Sequence, residues 1–547
     1  MKKKLKIGIF LNSNIKLQDG HIKIISELIN SDFTKLECVF YYNVKKKLNL
    51  LSSILYNFIA RVEKKYCLIT RKKEQIVIKK YFSQIKKYFL NENNKNKFFK
   101  DEKIKDKLKN IDLILILEKN KFIESQIVDL PKLGSWVINF GVDEFIFAGF
   151  WESLNKKDIT KVEIQNIKYT TLKRGFSIID QGFYSTKISS WFSNRDFILE
   201  KSAILLMKNI RLLNLKLKKK QKNFFSKNKT KPEFITLLKY VIKKYPKTLF
   251  RKTLLFLLYP NNKTHTELNH NPWNIHIGNK INNKLLSFKS SKRIKPKNNQ
   301  AWADPFLISY KQDDYVFFEN FEFSKQKGKI SFAKIRNNSI SEIDDALDLK
   351  FHLSYPFLWR EKNHFFMMPE TGQKKCIQIW KAEHFPKKWI LHKTLFKGQS
   401  CVDTTFFDTK NGQRWLFTNK SNDKYNDHNS ELYVYKTDKK FNKIIPHKYN
   451  PVIIDSRIAR NAGNIFYNDK KEIIRPSQVN ILNFYGKGLN LRIIKKLKID
   501  CYEELQSKSF YPNFKKKINA IHHISQNKNN YAIDVRYKTL LSNFIPE

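Results

Sequence analysis

Residues 301–320 read AWADPFLISYKQDDYVFFEN: an apolar strand with an Asp-Pro pair near its start, a polar turn, and a second apolar strand. The pattern returns as SYPFLWREKNHFFMMPET at 354–371, VDTTFFDTKNGQRWLFTN at 402–419 and NAGNIFYNDKKEIIRPSQ at 461–478. A weaker copy, NAIHHISQNKNNYAIDVR, occupies 519–536. The period is roughly 50 to 60 residues, which is the period of propeller blades made from small antiparallel sheets. Five repeats predict five blades. One blade cannot bury both of its faces, whereas a ring of blades buries every face and leaves only short edges. WNIHIGN at 273–279 precedes the first repeat and is expected to close the ring as an added strand on the last blade.

In a propeller the innermost strand of each blade lines the central channel. The equivalent positions near the starts of these strands are Asp304, Tyr355, Asp403, about Gly463, and His522. The ends of the second strands add Glu319, Glu370, Asn419, Arg475 with Gln478, and Asp534 with Arg536. Carboxylates, an imidazole, amides and guanidinium groups therefore converge on one funnel, which apolar blades do not need. Facing acids with aromatic neighbours, here Trp302, Tyr355 and Trp359, suit a sugar: acids hold hydroxyls or transfer protons, and rings stack on pyranose faces. The arginines available to the funnel are Arg360, Arg457, Arg460, Arg475 and Arg536, and they would favour a sugar phosphate or nucleotide sugar over a neutral glycan. The competing reading is that Asp304 and Asp403 only cap turns.

The first two hundred residues have a different texture. KIGIFL, HIKIISELI and KLECVFYY alternate strand, helix and strand, and IDLILILE and GSWVINFG are further buried strands. This predicts a doubly wound α/β domain over 1–200. Residues 45–109 are Lys-rich, with apolar positions every three to four residues, and read as helical. A basic helical connector is expected over 201–270, with Pro246 breaking its second helix, and the propeller over 271–547. The segment from Phe234 to Leu258 has a second reading, as a cationic amphipathic helix on an anionic membrane surface.

The chain has 547 residues and a formal charge of +55, but only fifteen of its 105 basic residues are Arg. A solvated Lys coat accounts for that balance, and no specific nucleic-acid partner is expected. Cys38, Cys67, Cys376, Cys401 and Cys501 are odd in number, far apart and without a CxxC pair. They are expected to be reduced thiols of a cytoplasmic protein, with peripheral contact at the inner face of the membrane as the variant of that location. The apolar run after MKKK is about five residues, a first strand and not a signal peptide. No metal set and no cofactor is expected.

The blade motifs WADPFLISY…YVFFEN, LSYPFLW…FFMMPET, VDTTFFD…RWLFTN and RNAGNIFY…IIRPSQ resemble the N-terminal domain of plant glucosamine inositolphosphorylceramide transferases and its bacterial relatives. That domain is similar to the five-bladed propellers of glycoside hydrolases. The resemblance implies that Asp304 stands in the place of the hydrolase base or nucleophile, Asp403 in that of the Asp that tunes the acid, and Glu370 nearest to the general acid. GSWVINFGVDEF through TTLKRGFSII resembles the core of the formyltransferase fold. Asn139 matches the Asn of its Asn-x-His, while Gly141 stands at the His and about Lys173 at the later Asp, so formyl transfer loses its proton-handling groups. Bacterial proteins joining these two domains resemble the chain over nearly its whole length, which implies surface glycan or glycolipid assembly. The expected activity is glycosyl transfer or glycoside cleavage in the funnel on a sugar, sugar phosphate or nucleotide sugar. The alternatives are a non-catalytic glycan-binding scaffold and a residual amino-sugar formyltransferase.

Overall fold

The run LKIGIFLN alternates poorly and is apolar almost throughout, as a strand covered on both faces must be. A computed structural model describes residues 4–13, 17, 19–42, 48–64, 71–90, 101–117, 128–142, 144–169, 174–217, 222–223, 229–258, 272–280, 288–336 and 338–538. It divides into two units: Met1–Pro246 with Asp423–Tyr425, and Lys247–Asn422 with Asn426–Glu547.

In the first unit the order is β1 (Leu5–Asn12), α1 (Asp19–Asn30), β2 (Thr34–Tyr42), α2 (Leu50–Glu63), α3 (Lys72–Gln84), β3 (Lys86–Leu90), α4 (Glu102–Lys109), β4 (Leu113–Ile116) and β5 (Ser135–Asn139). It continues through α5 (Phe150–Leu154), β6 (Ile159–Tyr169), β7 (Arg174–Ser185), α6 (Trp191–Asn214), β8 (Lys222–Asn223) and the part of α7 (Phe234–Leu258) up to Pro246. The sheet order is β3-β2-β1-β4-β5-β6-β7-β8. Its first five strands are parallel, and β6, β7 and β8 extend it antiparallel. Phe10, Phe40, Ile114 and Val137 form part of its core.

Three expectations differ. The helical reading of 45–109 fails at Lys86–Leu90, which is strand β3. Tyr88 stacks on Phe40 at 5.0 Å and Phe89 on Tyr41 at 5.2 Å, so cross-strand aromatic pairing with β2 overrides the local pattern. The boundary expected at 200 falls inside α6, which continues to Asn214 with Leu205, Leu206, Ile210 and Leu212 buried. Helix α7 runs through Pro246 instead of stopping there. The lost backbone bond is local, and burial of Leu237 and Tyr240 anchors the turns before it. The expected propeller start at 271 lies outside the described residues.

The second unit opens with β9 (Trp273–Asn279) and β10 (Lys292–Ile294). Blade one is β11 (Gln300–Tyr310), β12 (Asp313–Glu322), β13 (Lys327–Arg336) and β14 (Ser339–Ile340), with β15 (Asp344–Leu347) also on β13. Blade two is β16 (Ser354–Glu361), β17 (His364–Glu370), β18 (Ile377–His384) and β19 (Lys388–Leu395). Blade three is β20 (Ser400–Asp408), β21 (Arg414–Ser421), β22 (Glu431–Thr437) and β23 (Ile444–Pro446), with β24 (Ile453–Ile454) on β22. Blade four is β25 (Phe466–Tyr467), β26 (Ile473–Ile481), β27 (Phe484–Lys498) and β28 (Cys501–Phe510). Blade five is composite: β29 (Ile518–Gln526) and β30 (Asn530–Tyr537) are completed by β9 and β10. The closing strand is the one the sequence predicts, and the unit is a five-bladed propeller.

One irregularity repeats around the ring. The inner ladders slip between Ala303 and Phe306, Ser354 and Phe357, Val402 and Thr405, and Ile521 and Ile524. Asp304, Tyr355 and Asp403 take φ of +51°, +46° and +46° at these slips, and Gly463 in blade four has φ +130°. A bulge with a left-handed residue re-aims the side chain it carries, and non-glycine residues keep it only where the surroundings enforce it.

Candidate functional site

Asp304 is held by two blades at once. Its backbone N–H donates to Asp534 Oδ2 (2.9 Å), and its Oδ2 accepts from the Tyr355 N–H (3.3 Å). His522 sits between two acids, with Nε2 3.1 Å from Asp304 Oδ1 and Nδ1 3.0 Å from Asp534 Oδ1. His523 Nδ1 lies 3.5 Å from the same Asp304 oxygen. Burial disfavours a charged His522, but Asp534 and Asp304 outweigh it and push its pKa up to about 10. Burial likewise opposes ionisation of Asp304, and the His522 hydrogen bond and charge overcome it, holding the carboxyl below its usual range. Burial lowers His523 and keeps that ring neutral. Asp304, His522 and Asp534 are the donor types of a metal set, and their oxygens and nitrogens lie close together. However, an imidazole with both nitrogens facing carboxylates offers no lone pair to a cation.

Glu319 and Glu370 behave oppositely. Glu319 lies on β12 opposite Ala303, and Glu370 on β17 opposite Ser354. Burial, then the charges of Asp304 and Glu370, raise Glu319 well above the carboxylate range. Burial, then the charge of Asp403, push Glu370 up to about 8. His352 Nδ1 accepts from the Gly328 N–H (3.0 Å), which leaves its Nε2–H facing Glu319 Oε1 at 3.6 Å. A Cβ on Gly328 would stand 2.6 Å from the Leu353 carbonyl and 2.9 Å from Glu319 Oε1, so glycine makes room for this approach. At neutral pH the site thus presents one carboxylate and two protonated acids, the division of labour that acid/base chemistry uses.

Asp403 stands behind this wall. Arg460 Nε donates to its Oδ2 (2.6 Å) and Arg460 Nη1 to Asn429 Oδ1 (3.0 Å). Gln478 Nε2 donates to the same Asp403 oxygen (3.2 Å) and to the Tyr485 hydroxyl (3.3 Å). The Arg460 guanidinium lies 4.8 Å from the Tyr485 ring centre. The acids, Arg460 and His522 open on a cavity of about 310 Å³ whose rings are Trp273, Phe321, Phe323 and Tyr485. Arg536 reaches the same cavity, 5.5 Å from the Trp273 ring and 4.6 Å from that of Phe484.

Of the residues singled out from sequence, Asp304, Glu370, Arg460, His522 and Arg536 meet at this cavity, with Asp403 and Gln478 one layer behind. The others lie elsewhere. Trp302 is a core residue: its ring packs on Phe318 and its Nε1 donates to Asn320 Oδ1 (3.2 Å). Tyr355 is fully buried, and its hydroxyl exchanges hydrogen bonds with Gly463, accepting from N (3.0 Å) and donating to O (3.2 Å). Neither ring is a wall of the cavity, because the bulge turns Tyr355 inward and strand alternation turns Trp302 into the inter-blade core. Trp359 stacks on Phe366 in the core between blades. Arg360 bonds the Lys362 carbonyl at the exposed end of β16, and Arg457 pairs with Asp455. Arg475 is buried on Glu504, and its Nη2 caps the Ile458 carbonyl. Glu319, which the sequence places at the funnel without a role, lines the cavity beside Glu370. His352, Trp273 and Tyr485 are cavity residues that the site reading did not include.

In the first unit Asn139 ends β5. Its Oδ1 accepts from the Gly141 N–H (3.1 Å) and its Nδ2 donates to Glu163 Oε2 (3.2 Å). Gln165 and Gln181 donate to the same carboxylate, so the amide belongs to an internal network. Lys173 lies outside the described residues.

Residues 265–536 match the family described as glucosamine inositolphosphorylceramide transferase 1, N-terminal. The glucosamine inositolphosphorylceramide transferase 1 of Oryza sativa subsp. japonica is 31% identical over 231 residues, 41% of this chain and 30% of the rice protein. That of Arabidopsis thaliana is 31% identical over 208 residues, 37% of this chain and 27% of its own. The chain thus spans less than a third of the length of these relatives. Among solved structures, the catalytic domain of the Coprinopsis cinerea GH62 α-L-arabinofuranosidase aligns with TM-score 0.34 and 11% identity, over 48% of this chain and 97% of its own. A thermostable family-43 glycoside hydrolase aligns with TM-score 0.31 and 11% identity, over 44% and 91%.

Proposed function

We propose that the funnel binds a sugar, sugar phosphate or nucleotide sugar and cleaves or transfers its glycosyl group. The observation that carries this reading is that Asp304, Glu319 and Glu370 meet in one ring-walled cavity, where His522 holds Asp304 below the usual carboxylate range while burial and neighbouring acids raise the two glutamates above it. In this reading Glu370 gives its proton to the leaving oxygen as the bond to the anomeric carbon breaks. Asp304 either takes the proton of the incoming hydroxyl or stabilises the positive charge developing on the sugar. Asp403 serves through Glu370, whose proton affinity its charge raises. Arg460 and Arg536 supply cationic contacts for a phosphate, and Trp273 and Tyr485 supply stacking faces. The relationship to glucosamine inositolphosphorylceramide transferases supports a role in glycan or glycolipid assembly.

A specific observation favours binding without turnover as the second reading. Asp304 already receives His522 and the Tyr355 N–H, which blunts it as a base. The test is to incubate the protein with aryl glycosides and nucleotide sugars and follow released or transferred sugar by chromatography. Turnover by the natural chain that falls at least about a hundredfold in Glu370→Gln supports the enzyme, on the scale of a lost general acid. Binding of the same compounds with no product in either protein supports the scaffold.

For the first unit we propose a formyltransferase-like core that no longer transfers formyl groups. The parallel order β3-β2-β1-β4-β5 and the position of Asn139 at the end of β5 support the likeness, and Gly141 in place of the imidazole supports the loss. Formyl-folate consumption above background with any amino sugar would overturn it.

A further inference from the structure

Helices α2 and α7 of the first unit share a buried core but present apolar side chains outward. Ile59 and Ala60 of α2 pack with Leu237 and Tyr240 of α7, and the Phe58 ring meets that of Tyr245 at 6.1 Å. The Tyr240 hydroxyl donates to Glu63 Oε1 (2.7 Å), tying the two helices together. On the outer side, Leu50 is 76% exposed and Ile54 58%, one turn apart on α2. Ile235 is 74% exposed and Ile242 61%, two turns apart on α7. These are large aliphatic side chains at helical spacing on a face turned away from the core, where polar residues belong.

Apart from the exposed Glu233 just before α7, the charges beside them are cations. Arg61 and Lys64 are exposed on or just after α2, and Lys239 and Lys243 on α7. Glu63 is the sole acid between residues 48 and 64, and it is buried, accepting from Ser190, Phe192 and Tyr240. Residues 234–246 contain no acid. On the α7 wheel, Ile235, Leu238 and Ile242 form a stripe with Lys239 and Lys243 along one border. An apolar stripe bordered by cations is the pattern of a helix lying in a lipid interface. A second copy of the chain is a poor occupant, because a two-fold interface would set these cations against themselves.

We propose that the outer faces of α2 and α7 form a docking surface for an anionic lipid bilayer. Leu50, Ile54, Ile235 and Ile242 enter the headgroup boundary, and Arg61, Lys239 and Lys243 meet lipid phosphates.

The test is sedimentation of the full chain with vesicles of phosphatidylcholine alone or with one quarter phosphatidylglycerol. The Lys coat attracts anionic vesicles by itself, so the deciding variant is neutral: Leu50→Gln/Ile54→Gln/Ile235→Gln/Ile242→Gln. These positions are exposed, and the changes leave every charge in place. The expected result is binding to the anionic vesicles that weakens with salt and falls about tenfold or more in the neutral variant. A second variant, Arg61→Gln/Lys239→Gln/Lys243→Gln, is expected to lose anionic-vesicle binding to a similar degree while keeping the apolar stripe. Unchanged binding in the neutral variant overturns the proposal, as does a dimeric natural chain that this variant converts to monomer.

Discussion

Asp304 and Asp534 share His522 but differ in what else they hold. Asp534 is fully buried and accepts backbone N–H groups from Asp304 (2.9 Å), His522 (3.3 Å) and His523 (3.0 Å), so it ties blade one to blade five. Asp534→Ala is expected to cost about 3 kcal/mol or more, seen as a much lower melting temperature, because a buried charge and several donors lose their partner. Asp304→Asn is expected to melt closer to the natural chain than Asp534→Ala does, since Asn is at ease at φ +51° and still accepts from Tyr355, and the cost is the loss of one of the two carboxylates that face His522. Glu370 gives a pH signature. Its folded pKa of about 8 lies above the ordinary 4.5, so the folded chain binds the extra proton. Its contribution to stability is therefore complete below about 4.5 and is lost as pH rises through about 8. In its proposed role as the acid, it should also make turnover decline above about pH 8, and Glu370→Gln should abolish that alkaline limb along with most of the rate.

At the scale of the element, the inner-strand bulge decides which side chains reach the cavity. The hairpin repeat is legible because its period and its second-strand ends are written in residue types, and these place Asp304, Glu319, Glu370, His522 and Arg536 together. The bulge was not legible, because a left-handed Asp or Tyr carries no local mark, and Tyr355 was for that reason read as a stacking platform. Trp273 and Tyr485 carry no such mark, because they come from the closing strand and from β27, outside the repeating hairpin. The protonated state of Glu319 depends on Asp304 and Glu370, which only the fold brings near. Gly463 is where blade four meets blade five. A Cβ there would stand 1.9 Å from the Ile524 carbonyl, and φ is +130°. Gly463→Ala is expected to destabilise the propeller by more than about 3 kcal/mol, measured by denaturant unfolding, since neither the contact nor the backbone angle tolerates a side chain.

Across the whole molecule, the charge of +55 says little about the site. Within the cavity Arg460, Arg536 and His522 face Asp304, Glu319 and Glu370, and the raised proton affinity of the two glutamates leaves the lining net cationic. The alternation of strand and helix made the first sheet legible, whereas β3 was hidden because its aromatic pairing partners lie on β2 and not within its own helical-looking run. The central claim is that the propeller cavity is a sugar site built on an ionised Asp304. Trp273 lines that cavity and reports on its filling, so the direct measurement is tryptophan fluorescence during titration with a panel of sugars, sugar phosphates and nucleotide sugars. The account predicts saturable binding of at least one compound by the natural chain and a loss of about tenfold or more, about 1.4 kcal/mol, in Asp304→Asn, with a smaller fall in melting temperature than Asp534→Ala shows. Equal affinity in the two proteins, with the variant melting many degrees lower, would contradict it and make Asp304 a structural turn residue.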